Sequence, residues 1–331
     1  GDSSDRAVEI LDGALQSSDA LTQSNALRRL ENNEKILPDS KLEAFLKEEN
    51  ILASNAALLV AEKRKKDTLI PAIILNLGNS KTFLQARQAL KSFDENVVLE
   101  HFTNILSSSD LSRNVRRGIV KALKDYSDVN LLLDQLDEAD QGMYNETVDS
   151  LLVCARAESF DENRLEVISG EIHKIARKLY AFNVCKKLLP ENNKQLLMVD
   201  HLNNEIQNTL PSLLKLGVMS KPNTPIETYI QIIKTGDPAK LPFLLEFFEN
   251  IFNKEQRSII NPLIEEISLE EKTKIGKTHF KDLPNNIDEE LITLLHSANK
   301  WESIITLDFM IQSQMKELLS SLDWNQIPNS S

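Results

Sequence analysis

Apolar side chains return every three or four residues along nearly all of this chain, and that spacing is the signature of helices with one dry face. The clearest case is 110–123, where Leu111, Val115, Ile119, Ala122 and Leu123 share a face and Asp110 is placed to cap the first turn. The same reading predicts helices over 6–15, 21–30, 41–48, 51–61, 69–77, 81–93, 97–106, 129–136 and 143–157. Breakers separate them in pairs: Gly78-Asn79-Ser80, Ser107-Ser108-Ser109 and the run from Asp137 to Gly142. Ala89-Leu90-Lys91 and Ala122-Leu123-Lys124 align at a shift of about 33 residues, a period at which repetition signals stacked supersecondary units. Short turns between helices of this length make neighbours antiparallel, so each pair buries its stripe against the next.

Residues 161–217 break the rhythm. Leu165, Ile168, Ile172, Ile175, Leu179 and Phe182 form one long stripe, and Leu196, Val199, Leu202, Ile206, Leu210 and Leu213 form another, with Pro190 between them. One long antiparallel hairpin fits this pattern; two shorter pairs broken at Gly170 and Pro211 also fit. Short pairs then resume. In Thr235-Gly236-Asp237-Pro238, Gly236 closes one helix and Asp237 caps the next. The helix after it carries Leu241, Leu244, Leu245, Phe247, Phe248, Ile251 and Phe252, more apolar surface than one exposed helix needs, so a central position is expected. Trp324 to Ser331 reads as a frayed tail.

The expectation is therefore an all-α fold, an α-solenoid of antiparallel helical hairpins with one longer hairpin near the middle. Its segments are 1–160, the long hairpin at 161–220, 221–323 and the tail 324–331, all in one continuous stack. Composition agrees: of 331 residues 41% are hydrophobic but only 5% aromatic, and Leu, Ile and Ala carry the apolar content. The chain opens on Gly1 without a methionine, and its first residues read as a join to a piece of a larger parent protein.

Charge narrows the functions. A net charge of −12 repels nucleic-acid backbones, so no nucleic-acid partner is expected. The one basic run, Lys63-Arg64-Lys65-Lys66, lacks interleaved aromatics and reads as a solvated helix end or a local anionic contact. No apolar run is long enough to span a membrane. Cys154 and Cys185 sit in apolar surroundings and read as small buried residues with free thiols.

Two segments resemble known families. Asp110, Val115-Arg116 and Ala122-Leu123 stand where a HEAT repeat places the turn Asp, the Val-Arg pair and the Ala-Leu pair of its second helix. Over 160–312, the order of long hairpin, Thr-Gly-Asp-Pro turn, Leu244 to Phe252, Ile259 to Glu266 and the Lys300-Trp301 turn resembles the HEAT region attached to bacterial ATP/ADP-translocase-like, major-facilitator-related membrane proteins. That resemblance implies a HEAT/armadillo-like frame on the cytoplasmic face of a membrane protein, with no catalytic or ligand residue carried over.

Candidate chemistry is sparse. His201 and Glu205 stand one helical turn apart and read as a surface ion pair or hydrogen-bonding groups, since two ligands do not make a metal site. The stretch from Asp137 lacks the glutamate of a calcium loop at its twelfth position, which is Val148, and reads as a capped turn. No catalytic, cofactor-binding or metal-ligating residue is assigned. The candidate interaction surface is Arg113, Arg116 and Arg117 with Glu265, Glu266, Glu270 and Glu271. The arginines either line a groove for acidic partners or lay their stems on apolar surface and pair with Asp125 or Asp128. The glutamates are either a docking patch or a solvated face. The functional expectation is a non-catalytic protein-interaction module whose partner is another protein or the membrane part of its own parent. The alternatives are a free-standing cytosolic scaffold and an enzyme of lyase or DNA-glycosylase type on a similar frame.

Overall fold

The computed structural model describes residues 2–108, 111–126, 128–136, 141–190, 196–297, 300–322 and 324, and among them every regular element is helical. The chain divides into two compact units, Gly1–Leu132 and Leu133–Ser331.

The first unit holds α1 (Asp2–Leu15), α2 (Ala20–Arg29), α3 (Asp39–Leu46), α4 (Ile51–Arg64), α5 (Ile70–Leu75), α6 (Phe83–Leu90), α7 (Glu95–Leu106) and α8 (Arg113–Leu123); α9 (Val129–Leu133) runs over the division. Each helix packs on those near it in sequence: α1 on α2, α4 on α2, α3 and α6, and α5 on α6 and α7. Ala53, Ala56, Ala57 and Ala61 of α4 are fully buried, and their small side chains let the neighbouring helices approach closely. Ala89, Leu90, Ala122 and Leu123 are also fully buried, so the sequence repeat marks two equivalent core positions.

Starts follow local capping. Asp19, Asn50 and Asp94 accept hydrogen bonds from the first-turn amides of α2, α4 and α7. For α8 the cap is Ser112, whose Oγ accepts from Val115 N at 3.4 Å. The helix begins at Arg113, which leaves Ser112 at the position where a side chain can reach the third amide; Asp110 lies outside the described residues.

The basic run also differs from expectation. α4 does end at Arg64, and Lys65 adopts a left-handed conformation beyond it. Lys63 pairs with Glu31, but the Arg64 side chain is only 4% exposed. Its guanidinium donates to the carbonyls of Leu30, Glu31 and Leu37 at 3.2, 2.8 and 2.7 Å and pairs with Asp39 at 3.2 Å. A forked cation with five donors can satisfy several helix-end carbonyls at once, and burial follows from that.

The second unit holds α10 (Gln141–Ala157), α11 (Glu162–Leu188), α12 (Leu196–Gly217), α13 (Ile226–Thr235), α14 (Leu241–Ile251), α15 (Lys254–Ile264), α16 (Leu269–His279), α17 (Ile287–Leu295), α18 (Lys300–Gln312) and α19 (Lys316–Ser321). The long hairpin is α11 with α12, unbroken through Gly170 and Pro211. It is the spine of the unit: α15, α16 and α17 pack on α11, while α10, α13 and α18 pack on α12. Tyr180 of α11 is fully buried and donates its hydroxyl to Ile259 O at 2.8 Å, tying α11 to α15.

α14 is not central. It packs on α13 and α15, with Phe247 stacked on Tyr229 at 3.7 Å and Phe248 meeting Phe252 edge-on at 5.1 Å, and it reaches the spine at its end, where Ile251 and the Phe252 ring lie against Gly217 of α12. Gly236 closes α13 with φ 58°, as its position implied, and Asp237 accepts from Ala239 N at 3.1 Å. Asn253 and Ser268 start α15 and α16 through reciprocal capping boxes with Gln256 and Glu271. Of the expected tail only Trp324 is described; 325–331, like 137–140 of the expected capped turn, lie outside the described residues.

Candidate functional site

The arginines of the first unit sit on α8, with Arg113 and Arg117 exposed and Arg116 half-buried, donating to Ser108 O at 3.1 Å. Asp125, one of the partners the sequence offered them, is bound by others. Arg87 forks onto both of its oxygens and Lys91 lies 3.1 Å away. Burial acts to raise the Asp125 carboxyl, but hydrogen bonds from Arg87 and Lys91 outweigh it and hold the group below the ordinary carboxylate range. Asp128 instead accepts from Leu131 N at 3.0 Å.

In the second unit the four glutamates do different jobs. Glu271 accepts from Ser268 N at 3.1 Å as half of the α16 capping box. Glu270 pairs with Lys187 at 3.5 Å. Glu265 is half-buried just beyond α15, and Glu266, exposed, stands at the mouth of a cavity of about 300 Å³.

That cavity is walled by α11 to α16. One side is aliphatic, built by Ile232 and Ile233 of α13, Leu241 and Leu244 of α14 and Leu263 of α15. The lining from α11 and α12 mixes Ile206 and Leu210 with Asn183, Asn203 and Gln207, and the cavity holds two half-buried lysines, Lys186 of α11 and Lys272 of α16. Lys186 Nζ donates to Asn203 Oδ1 at 2.6 Å, and Lys272 Nζ donates to Leu263 O at 3.0 Å. Burial lowers the pKa of both, and the charge of Lys186 lowers Lys272 further, against an opposing pull from Glu265. Neither lysine signalled this in sequence, because α11 and α16 meet only in the folded unit.

A second group of titratable side chains is buried where α12, α17 and α18 meet α11. His201 does not pair with Glu205 at the surface. It is 9% exposed, and its Nε2 lies 3.4 Å from Glu302 Oε1. Burial acts to raise Glu302, but hydrogen bonds from His201 and Ser297 and the charge of Lys178 bring it below the ordinary glutamate value. Burial raises Glu205 and Glu290, and the Glu302 charge adds to both shifts. Arg177, Lys178, Glu290, His296 and Glu302 line a neighbouring cavity of about 540 Å³.

Helix α18 carries apolar residues on both its inner and its outer face. Its polar Glu302, Ser303 and Thr306 are buried beside Phe309 and Met310, while Trp301, Ile304 and Ile311 are 70%, 49% and 57% exposed. The inward hydroxyls are satisfied: Ser303 donates to Ser297 O at 3.1 Å and Thr306 to Glu302 O at 2.7 Å. The three outward apolar residues fall within about 80° of the helix circumference, a single face.

Both cysteines are buried, and neither is in a disulfide. Burial, with the charges of Glu290 and Glu302, pushes the Cys185 thiol well up, which disfavours the thiolate a nucleophile needs. Among the described residues no group of three His, Cys, Asp or Glu is placed to hold a metal ion, and no helix is long and apolar enough to cross a membrane.

No protein family and no curated protein matches the sequence. Two crystal structures of engineered proteins from the Northeast Structural Genomics Consortium are similar to the chain. The first has 17% identity, covers 63% of this chain and 97% of its own, and has a TM-score of 0.28. The second has 14% identity, covers 96% and 95%, and has a TM-score of 0.27. At those scores the description of the fold stands on the chain's own helices.

Proposed function

We propose that this chain is a non-catalytic protein-binding module that engages its partner through the outer face of α18. The observation that carries the proposal is the apolar outer face of that helix, where Trp301, Ile304 and Ile311 are exposed although Phe309 and Met310 already fill its inner face. Exposing an indole and two isoleucines on one face gives up the burial they would gain in a core, and such a face is the composition of a protein-interface centre. The finer reading, a HEAT-like region on the cytoplasmic side of a transporter-like membrane protein, is supported by the sequence resemblance over 160–312.

The test is a photo-crosslinking amino acid placed at Trp301 in cells of the source organism, with Lys274 on the exposed side of α16 as control. A discrete protein adduct from position 301, absent at 274 and lost when Ile304→Asp is added, is expected. A membrane-protein adduct favours the attached module and a soluble one the scaffold. No adduct at 301, or equal adducts at both positions, contradicts the proposal.

A further inference from the structure

We propose that the cavity between the long hairpin and α13–α16 binds a small aliphatic carboxylate, held at its charged end by Lys186 and Lys272 and along its chain by the aliphatic wall. This goes beyond the protein-binding role and does not depend on it, since the α18 face and the cavity have no residue in common.

The two ammonium groups are the core of the argument. Each has three donors and a neutral acceptor, Asn203 Oδ1 for Lys186 and Leu263 O for Lys272. Among the described residues neither forms an ion pair, although the chain as a whole carries 50 Asp and Glu against 38 Lys and Arg. Half-burying two like charges in the lining of one cavity is costly without an anion, and a carboxylate bound in that cavity would offset the cost. Such spending of stability is the mark of a binding site.

The surroundings select the anion. Asp237 lines the cavity but is paired with Lys240 at 3.2 Å, and Glu266 stands at the mouth, so the excess positive charge inside is small. A monoanion suits it, and a doubly charged phosphate would face the two carboxylates. Ile232, Ile233, Leu241, Leu244 and Leu263 give the cavity an aliphatic part, and no aromatic ring is among its lining residues, which fits an alkyl chain. A volume of about 300 Å³ lies at the lower end of the range for small-molecule sites.

The experiment titrates the full chain with hexanoate, hexylammonium and inorganic phosphate, following the melting temperature and the amide resonance of Gly236, which lines the cavity. Hexanoate at up to about 10 mM should raise the melting temperature and shift Gly236, with hexylammonium inert and phosphate weaker. Lys272→Met should raise the melting temperature of the unliganded chain and weaken hexanoate binding tenfold or more. Lys186→Met provides a second, independent loss, and Lys187→Met, outside the cavity, should bind as the parent does. No response to hexanoate, an equal response to phosphate, or undiminished binding in both methionine variants overturns the proposal. None of these outcomes bears on crosslinking at Trp301, so the two readings fail separately.

Discussion

Glu302 Oε1 and His201 Nε2 meet at 3.4 Å inside the second unit, joining α18 to α12 through two side chains that are 5% and 9% exposed. The carboxylate is kept charged by this contact, by Ser297 and by Lys178, against the pull of burial. Because its folded pKa lies below the ordinary value, its stabilisation is complete above that ordinary value and is lost as pH falls through the folded one. Glu302→Gln should therefore destabilise the protein by about 2 kcal/mol near neutral pH, and the difference should close in acid. Urea unfolding at several pH values reads both effects.

Glu290 behaves in the opposite sense. Burial raises its pKa, helped by Glu302 and opposed by Arg177, so the charged form is held at a cost above its folded value. Glu290→Gln should stabilise the protein by about 1 kcal/mol at neutral pH. The gain should shrink as pH falls through the raised value, where the native side chain takes up its own proton. A loss of stability at neutral pH would mean the carboxylate is better paired than its surroundings imply.

Gly118 and Gly170 provide a paired test of packing. A Cβ on Gly118 of α8 would run into the Leu77 carbonyl, whereas one on Gly170 of α11 would meet nothing within 4 Å. Gly118→Ala should cost about 2 kcal/mol or more, because the obstacle is backbone and cannot rotate away. Gly170→Ala should instead gain about 0.5–1 kcal/mol from the unfolded state and helix propensity. Thermal melts of the two variants suffice.

Arg64, at the end of α4, supports three carbonyls between the end of α2 and the start of α3. Arg64→Met keeps much of the stem but leaves those oxygens without their donor, so a loss of about 2–3 kcal/mol is expected. Lys66→Met, which removes only an exposed pair with Glu34 at 3.4 Å, should change stability by less than about 0.5 kcal/mol.

What could be read from sequence was what depends on near neighbours. The periodic stripes located the helices, Gly236 marked the end of α13, and the two long stripes foretold the spine of the second unit. What escaped was what depends on packing. Arg64 looked like one cation in a solvated run because the carbonyls that bury it come from segments some 30 residues earlier. Lys186 and Lys272 looked like surface lysines because nothing local records that α11 and α16 pack together. Trp301, Ile304 and Ile311 have the spacing of a core stripe, and only the placement of α18 shows that this stripe faces outward. His201 was matched to Glu205 by helical spacing, whereas its partner Glu302 arrives from another helix.

The most direct test of the central claim is the melting temperature of the triple variant Trp301→Ser, Ile304→Ser, Ile311→Ser, measured on the purified full chain. If the outer face of α18 serves binding and not folding, the three changes together should shift stability by no more than about 1 kcal/mol, as for other exposed positions. A loss of several kcal/mol would place those side chains in the core and contradict the account.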